Sequence, residues 1–168
     1  MGGQHARRHL HRPQQAHRRR GQEGRAREGL WHRTFSCLVV SPSTQTVLLQ
    51  KKQPGRYVFD RPDHADFTVG GHYEAGESIA DGVREIREEL GLDVDYKELQ
   101  PLGIRQTAVA LAPKWIEREF QYWHLLALPL GLEEIPLDDA EVSGLVQIGL
   151  DDAIALAAAT VARPRPAT

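Results

Sequence analysis

Alternation between apolar and polar positions divides most of the chain into short strands. Residues 33–40 and 46–51 are rich in β-branched and apolar side chains, which is typical of strands. The Ser-Pro-Ser-Thr segment between them predicts a turn, so the two strands are expected to form a hairpin. Further strands are predicted over 66–70, 102–111, 119–128 and 142–148.

Two other segments have helical character. A helix over 78–90 is predicted by apolar side chains that share one face, which is expected to pack on the sheet: Ile79, Val83, Ile86 and Leu90. Ser78 is expected to be its N-cap, with Asp81 in a capping-box position, and Gly91 is suited to its C-terminal end. An alanine-rich helix is predicted over 150–162. Strands alternating with two helices predict an α/β domain with a mixed β-sheet.

Charge is distributed unevenly along the 168 residues. Residues 1–29 hold eight arginines and two glutamates, a net charge of +6, with almost no apolar side chains. We interpret 1–28 as a disordered arm, 29–162 as the folded domain and 163–168 as a disordered tail. The rest of the chain has a net charge of −8, which excludes a uniformly basic nucleic-acid-binding domain. The arm has no aromatic residue to stack on bases, so nucleic acid is not an expected partner.

Cysteine content and hydropathy give the expected location. The single cysteine, Cys37, cannot form an intramolecular disulfide, and its apolar neighbours predict that it lies in the core. No apolar run approaches the ~20 residues that span a bilayer. No apolar segment of a secretory signal follows the basic N-terminus. We therefore expect a cytoplasmic protein without a membrane partner.

The helix predicted over 78–90 brings three carboxylates together. Glu85, Glu88 and Glu89 have i, i+3, i+4 spacing, which places their Cβ atoms about 5–6 Å apart. Arg84 and Arg87 are expected to project from a different side of the helix, about 100° or more away. Like charges so close favour binding of a cation, and oxygen ligands select Mg²⁺ or Mn²⁺. On spacing alone, a solvated acidic helix face is the alternative.

A glycine-rich stretch leads into this helix, and the whole segment resembles the Nudix box, G-x5-E-x7-R-E-U-x-E-E-x-G-U, where U is aliphatic. The matching residues are Gly71, Glu77, Arg84, Glu85, Ile86, Glu88, Glu89, Gly91 and Leu92. Six residues rather than seven separate Glu77 from Arg84. This departure precedes the carboxylates, so their mutual spacing is unchanged.

The resemblance covers about residues 29–158 and implies a Nudix-type α/β/α sandwich. It implies hydrolysis of the P–O–P bond of a nucleoside-diphosphate-linked or related organic diphosphate, with Mg²⁺ or Mn²⁺ as cofactor. The implied metal ligands are Glu85, Glu88, Glu89 and Glu119, and Arg84 completes the catalytic set. In the family these carboxylates also orient or deprotonate the attacking water, and Glu77 pairs with the arginine. For Glu119, a salt bridge on the strand face is the alternative.

Several residues are expected to hold the small-molecule substrate. They are Gly71, His72, Lys51, Lys52 and Arg33. For each basic side chain, ordinary solvation at an edge strand is the alternative. Substrate selectivity is expected in the loops 53–65 and 112–118, and a homodimer is left open.

Other segments resemble the branch of Nudix proteins similar to isopentenyl-diphosphate isomerase. In that isomerase the positions of His32, His72, Glu117, Glu119 and Glu89 bind metal, and Gly70 stands here at the place of the catalytic cysteine. An isomerase is therefore the less favoured alternative, and a non-catalytic nucleotide- or metabolite-binding regulator is another. For the two histidines, a structural hydrogen-bonding role is favoured over metal ligation.

Overall fold

The computed structural model describes residues 29–52, 65–112, 115–129, 134–135 and 142–162. The predicted arm 1–28, the predicted tail 163–168 and most of the loop 53–65 lie outside these residues. No helix in the described part of the chain is long and apolar enough to cross a membrane.

The described residues form strands and helices close to those predicted. The strands are β1 (Trp31–Ser41), β2 (Thr46–Lys52), β3 (Ala65–Phe67), β4 (Val69–His72), β5 (Gln100–Ala112), β6 (Trp115–Ala127) and β7 (Val142–Gly149). The helices are α1 (Arg84–Leu90) and α2 (Leu150–Ala162), and short 3₁₀ turns cover Ala80–Val83 and Tyr96–Glu98. The helix predicted over 150–162 is confirmed to the residue.

One mixed sheet contains all of these strands. Its order is β3-β2-β1-β6-β5, with β4 also paired to β1 and β7 to β2. The β1–β6 pair is parallel, and the other pairs are antiparallel. The predicted hairpin of β1 and β2 is confirmed by pairs such as Val39 with Leu48. The predicted α/β fold with a mixed sheet is therefore confirmed.

The strand predicted over 66–70 is two strands, because the ladder is interrupted at Thr68. The Thr68 side chain accepts a hydrogen bond from the backbone N–H of Val39 at 2.9 Å and donates one to the carbonyl oxygen of Leu48. This fully buried hydroxyl therefore bonds to backbone groups of both β1 and β2. Strand β4 then continues along β1 on its own, which brings Gly70 and Gly71 beside helix α1.

The start of the predicted helix also differs from the expectation. The α-helix begins at Arg84, after the 3₁₀ turn Ala80–Val83, and Ser78 is not its N-cap. The predicted contact of Asp81 with Ser78 is present, since the carboxylate of Asp81 accepts hydrogen bonds from the backbone N–H and the hydroxyl of Ser78, at 2.7 and 2.8 Å. The predicted end is confirmed, since Gly91 has the left-handed φ of 69°.

The core lies between α1 and the sheet. Phe35, Cys37 and Val39 of β1 pack in one cluster with Ile86 and Leu90 of α1. Burial raises the pKa of the Cys37 thiol to about 12, so this cysteine is an unreactive core residue, as predicted. The core fixes α1 against the sheet, and with it the carboxylates that the helix carries.

A buried histidine gives the core a pH dependence. The His124 ring is 2% exposed and stacks on Phe35 with ring centroids 4.9 Å apart, and burial lowers its pKa. The unfolded chain takes up a proton near pH 6.5, whereas the folded ring resists protonation. The free energy of unfolding should therefore fall as pH drops below about 6.5, by up to about 1.4 kcal/mol per pH unit. Urea unfolding of the wild type and of His124→Gln across pH 5–8 checks this. Equal slopes in the two proteins would show that His124 is not the source.

Candidate active site

The loop before helix α1 is held by the ion pair that the resemblance implied. Arg84 Nε lies 3.0 Å from Glu77 Oε1, and Arg84 Nη2 donates to the carbonyl oxygen of His72 at 3.2 Å. Glu77 Oε2 also accepts a hydrogen bond from the backbone N–H of Glu74 at 2.6 Å. These contacts connect β4, the loop and the first residue of α1.

A 3₁₀ turn lies between Glu77 and Arg84, in the segment that is one residue shorter than the box pattern. A 3₁₀ segment rises about 2.0 Å per residue, against about 1.5 Å in an α-helix. The four residues Ala80–Val83 therefore advance the chain about 8 Å, roughly as far as five α-helical residues. We infer that the tighter turn compensates for the shortened spacing.

Arg84 points into the carboxylate cluster, so the expectation that it projects elsewhere is wrong. Its Nη1 lies 2.9 Å from Glu85 Oε1 and 3.0 Å from Glu88 Oε2. Helical geometry fixes only the Cα–Cβ direction, and a long side chain can still reach the residue at i+4. Burial disfavours the charged guanidinium, but the carboxylates of Glu85, Glu77 and Glu88 outweigh it and raise its pKa. Arg87 does project away and pairs with Asp93.

Two of the three box carboxylates are buried, so they do not lie on a solvated helix face. Glu85 is 8% exposed and Glu89 is 3% exposed. Glu89 Oε2 accepts hydrogen bonds from Gln50 Nε2 and from the backbone N–H of Gly70, both at 3.1 Å. Glu89 Oε1 lies 3.5 Å from Lys52 Nζ. Donors from two strands, β2 and β4, thus face the carboxylate of Glu89.

Gly71 allows the close approach of Glu85 to strand β4. A Cβ atom at position 71 would overlap the carboxylate of Glu85. Gly71 was predicted to hold substrate. In the structure, its lack of a side chain makes room for the carboxylate of Glu85.

The variant Gly71→Ala should displace Glu85. The methyl group would push this carboxylate aside, and because the carboxylate ends a flexible side chain, the expected effect is a loss of activity that is larger than the loss of stability. Gly144→Ala in β7 is the matched control, because a Cβ there meets nothing within 4 Å. Thermal unfolding and turnover of both variants test this. The explanation fails if the two alanines have the same effect.

A second group of potential ligands lies on the sheet. His32, His72 and Glu119 each offer one ligand atom, and these atoms lie within 4.8 Å of one another. The His32 and His72 rings stack with centroids 5.1 Å apart, and Glu117 lies 3.9 Å from His32. The parallel pairing of β1 with β6 sets His32 directly beside Glu119.

The tautomer of His32 is fixed by its backbone contact. Nδ1 lies 2.9 Å from the carbonyl oxygen of Leu30, which can only accept a hydrogen bond, so Nδ1 carries the proton. Nε2, the other ring nitrogen, lies 3.8 Å from Glu119 Oε1. This buried Nε2 has no hydrogen-bond partner among the described residues.

Glu119 is oriented by its neighbours on β6. Gln121 Nε2 donates to Glu119 Oε2 at 2.7 Å, and Trp123 Nε1 donates to Gln121 Oε1 at 3.4 Å. The indole N–H can only donate, so it determines which end of the amide faces Glu119. Burial raises the pKa of Glu119, and the Gln121 hydrogen bond opposes this shift.

The predicted basic substrate ligands lie in different environments. Lys52 is beside Glu89, and Lys51 is exposed on the same strand. Arg33 donates to the backbone carbonyl of Glu77 at 2.7 Å and lies 5.0 Å from the centre of the Tyr73 ring. Only Lys52 is therefore seen in contact with a predicted catalytic carboxylate.

The structure thus places the predicted site residues in two sets on either side of β4. Glu85, Glu88 and Arg84 form one set on α1, with Glu89 beside Gly70. His72 belongs to the other set, with Glu119. Sequence reasoning missed Gln50, Gln121 and Trp123, although alternation along β6 places positions 119, 121 and 123 on one face.

Comparison with known proteins identifies the family. The NUDIX domain family matches residues 30–167. An uncharacterised Nudix hydrolase of Clostridium acetobutylicum is 38% identical over 127 residues, which are 74% of this chain and 60% of that protein. The chain therefore spans about 60% of the length of this relative.

Solved structures agree with the fold. The Escherichia coli dihydroneopterin triphosphate pyrophosphohydrolase superposes with a TM-score of 0.56 at 22% identity, covering 74% of this chain and 84% of that one. The mutator MutT protein of Bacillus halodurans gives a TM-score of 0.54 at 25% identity, with coverages of 74% and 72%. The chain belongs to the NUDIX domain family, and its fold is the α/β/α sandwich predicted from the Nudix box.

Proposed function

We propose that this protein is a divalent-metal-dependent hydrolase that cleaves the P–O–P bond of an organic diphosphate. Membership of the family supports hydrolysis, and the matched relative is itself named a Nudix hydrolase. A protein of similar fold is named as a pyrophosphohydrolase of a triphosphate. The observation that carries the proposal is the buried Nε2 of His32, which has no hydrogen-bond partner among the described residues and lies beside Glu119 and His72. The next residues along β4 from His72 are Gly71 and Gly70, which contact the carboxylates of Glu85 and Glu89.

The chemistry of these side chains fits a divalent cation. Carboxylate oxygens from Glu85, Glu88 and Glu89 suit Mg²⁺ or Mn²⁺, and Arg84 offsets only part of their charge. Glu119 would act as a ligand together with His32 and His72, and this mixed nitrogen and oxygen set suits Mn²⁺ better than Mg²⁺. The bound cation would supply charge to polarise the phosphoryl group and activate water.

The remaining steps belong to the protein's own side chains. Lys52 would bind a phosphate oxygen, since its Nζ already lies at the edge of the carboxylate cluster. Glu89 would accept a proton from the attacking water through Oε1, because its Oε2 already accepts the hydrogen bonds from Gln50 and Gly70. Arg84 would hold Glu85 and Glu88 in place rather than contact the substrate.

A substrate panel tests the proposal. Nucleoside diphosphates, sugar nucleotides, dinucleotides and prenyl diphosphates are incubated with Mg²⁺ or Mn²⁺, and the products are separated by chromatography. We expect P–O–P cleavage of at least one class, abolished by EDTA and restored by adding the metal. Binding of a panel member without any product would favour the non-catalytic regulator, and an isomerised prenyl diphosphate would favour the isomerase.

A further inference from the structure

A glutamine occupies a core position where packing alone favours an apolar residue. Gln50 on β2 is 0% exposed, and Leu48, which lies on the same face of the strand, belongs to the hydrophobic core. Burying an amide is unfavourable unless its polar atoms are hydrogen-bonded. Gln50 Nε2 donates to Glu89 Oε2, but Gln50 Oε1 has no partner among the described residues. The amide is therefore better explained by its contact with Glu89 than by packing.

The contact determines which oxygen of Glu89 faces the cluster. Oε2 accepts from Gln50 Nε2 and from the Gly70 N–H, both at 3.1 Å, and these two donors match its two lone pairs. Oε1 faces Lys52 Nζ at 3.5 Å. Rotation of the Glu89 carboxylate would break both hydrogen bonds, whose donors lie on two different strands, β2 and β4.

We propose that Gln50 is a positioning residue, which fixes Oε2 of Glu89 so that Oε1 is presented to the cation and the attacking water. This inference rests on the proposed function, because it assigns Glu89 to that site. An aliphatic residue at position 50 would remove one of the two donors that hold Oε2, and a glutamate there would repel the carboxylate. The amide N–H is thus the group that the position requires.

The test compares Gln50→Met, which keeps the length of the side chain but removes the donor, with Thr68→Val. Thr68 is also fully buried and makes its hydrogen bonds to the backbones of β1 and β2, so it serves as the structural control. Mn²⁺ binding is measured by electron paramagnetic resonance, and kcat and KM are determined separately. We expect Gln50→Met to weaken Mn²⁺ binding and to lower kcat, each by about 10–100-fold, with KM nearly unchanged. Thr68→Val should lose stability while keeping both properties.

Gln50→Asn provides a second variant if the methionine variant does not fold. It keeps a polar amide in the pocket but is one methylene too short to hold Glu89, so the same losses are expected. Unchanged Mn²⁺ affinity and kcat in a folded variant would overturn the proposal, as would equal losses in Thr68→Val. The binding measurement separates the two hypotheses: if the wild type hydrolyses nothing in the panel, weaker Mn²⁺ binding by Gln50→Met still supports the role of Gln50.

Discussion

Replacing Glu89 by glutamine should lower kcat by about 10²–10⁴-fold without unfolding the protein. The amide has the same shape, and its oxygen can still accept the hydrogen bond from the Gly70 N–H, so packing is preserved. What is lost is the negative charge that attracts a cation and the capacity to accept a proton from water. The measurement is turnover of the best panel substrate, with circular dichroism and thermal unfolding to confirm that the variant is folded.

The control for this prediction removes a carboxylate far from the site. Asp151 is exposed in the first turn of helix α2, so Asp151→Asn should leave kcat within about twofold of the wild type. Glu85→Gln should reproduce the loss seen with Glu89→Gln, since it removes a second carboxylate of the same cluster. Turnover like that of the wild type in both glutamine variants would disprove the proposed mechanism.

Most of the fold could be predicted from local sequence patterns, and each feature that was missed has a specific physical cause. Alternation located the strands, and helix α2 ends where the alanine-rich segment ends. The break between β3 and β4 was missed because it depends on Thr68 bonding to the backbones of β1 and β2, which are remote in the chain. The 3₁₀ start of α1 was missed because the contact of Asp81 with Ser78 indicates where the turn begins but not whether it is 3₁₀ or α-helical.

From spacing alone, the site could be predicted only where a single element carries it. The spacing of Glu85, Glu88 and Glu89 on one helix is visible in the sequence. Spacing does not reveal the meeting of His32 with Glu119, because it requires the parallel register of β1 against β6. Only the resemblance to the isomerase grouped these two residues. Nor does sequence indicate the side-chain torsions that turn Arg84 toward the carboxylates, or the distant strand that brings Gln50 to Glu89. Whether these residues act in catalysis stays a prediction until the variants are measured.

Replacing Arg84 by methionine should destabilise the protein by about 3 kcal/mol. Arg84 is 22% exposed and is the common partner of Glu77, Glu85 and Glu88, so its loss leaves three partly buried carboxylates to repel one another. The hydrogen bond from Arg84 to the His72 carbonyl is lost as well, which loosens α1 from β4. Urea unfolding at pH 7.5 measures the change in the free energy of unfolding.

Arg87→Met on the same helix is the matched control. Arg87 is 71% exposed and pairs with the equally exposed Asp93, and exposed pairs contribute at most about 1 kcal/mol. The deficit of Arg84→Met should shrink in the double variant Arg84→Met/Glu88→Gln, which removes one of the repelling charges. Equal losses for the two arginines, or a deficit that persists in full in the double variant, would mean that Arg84 acts through packing rather than by neutralising the cluster.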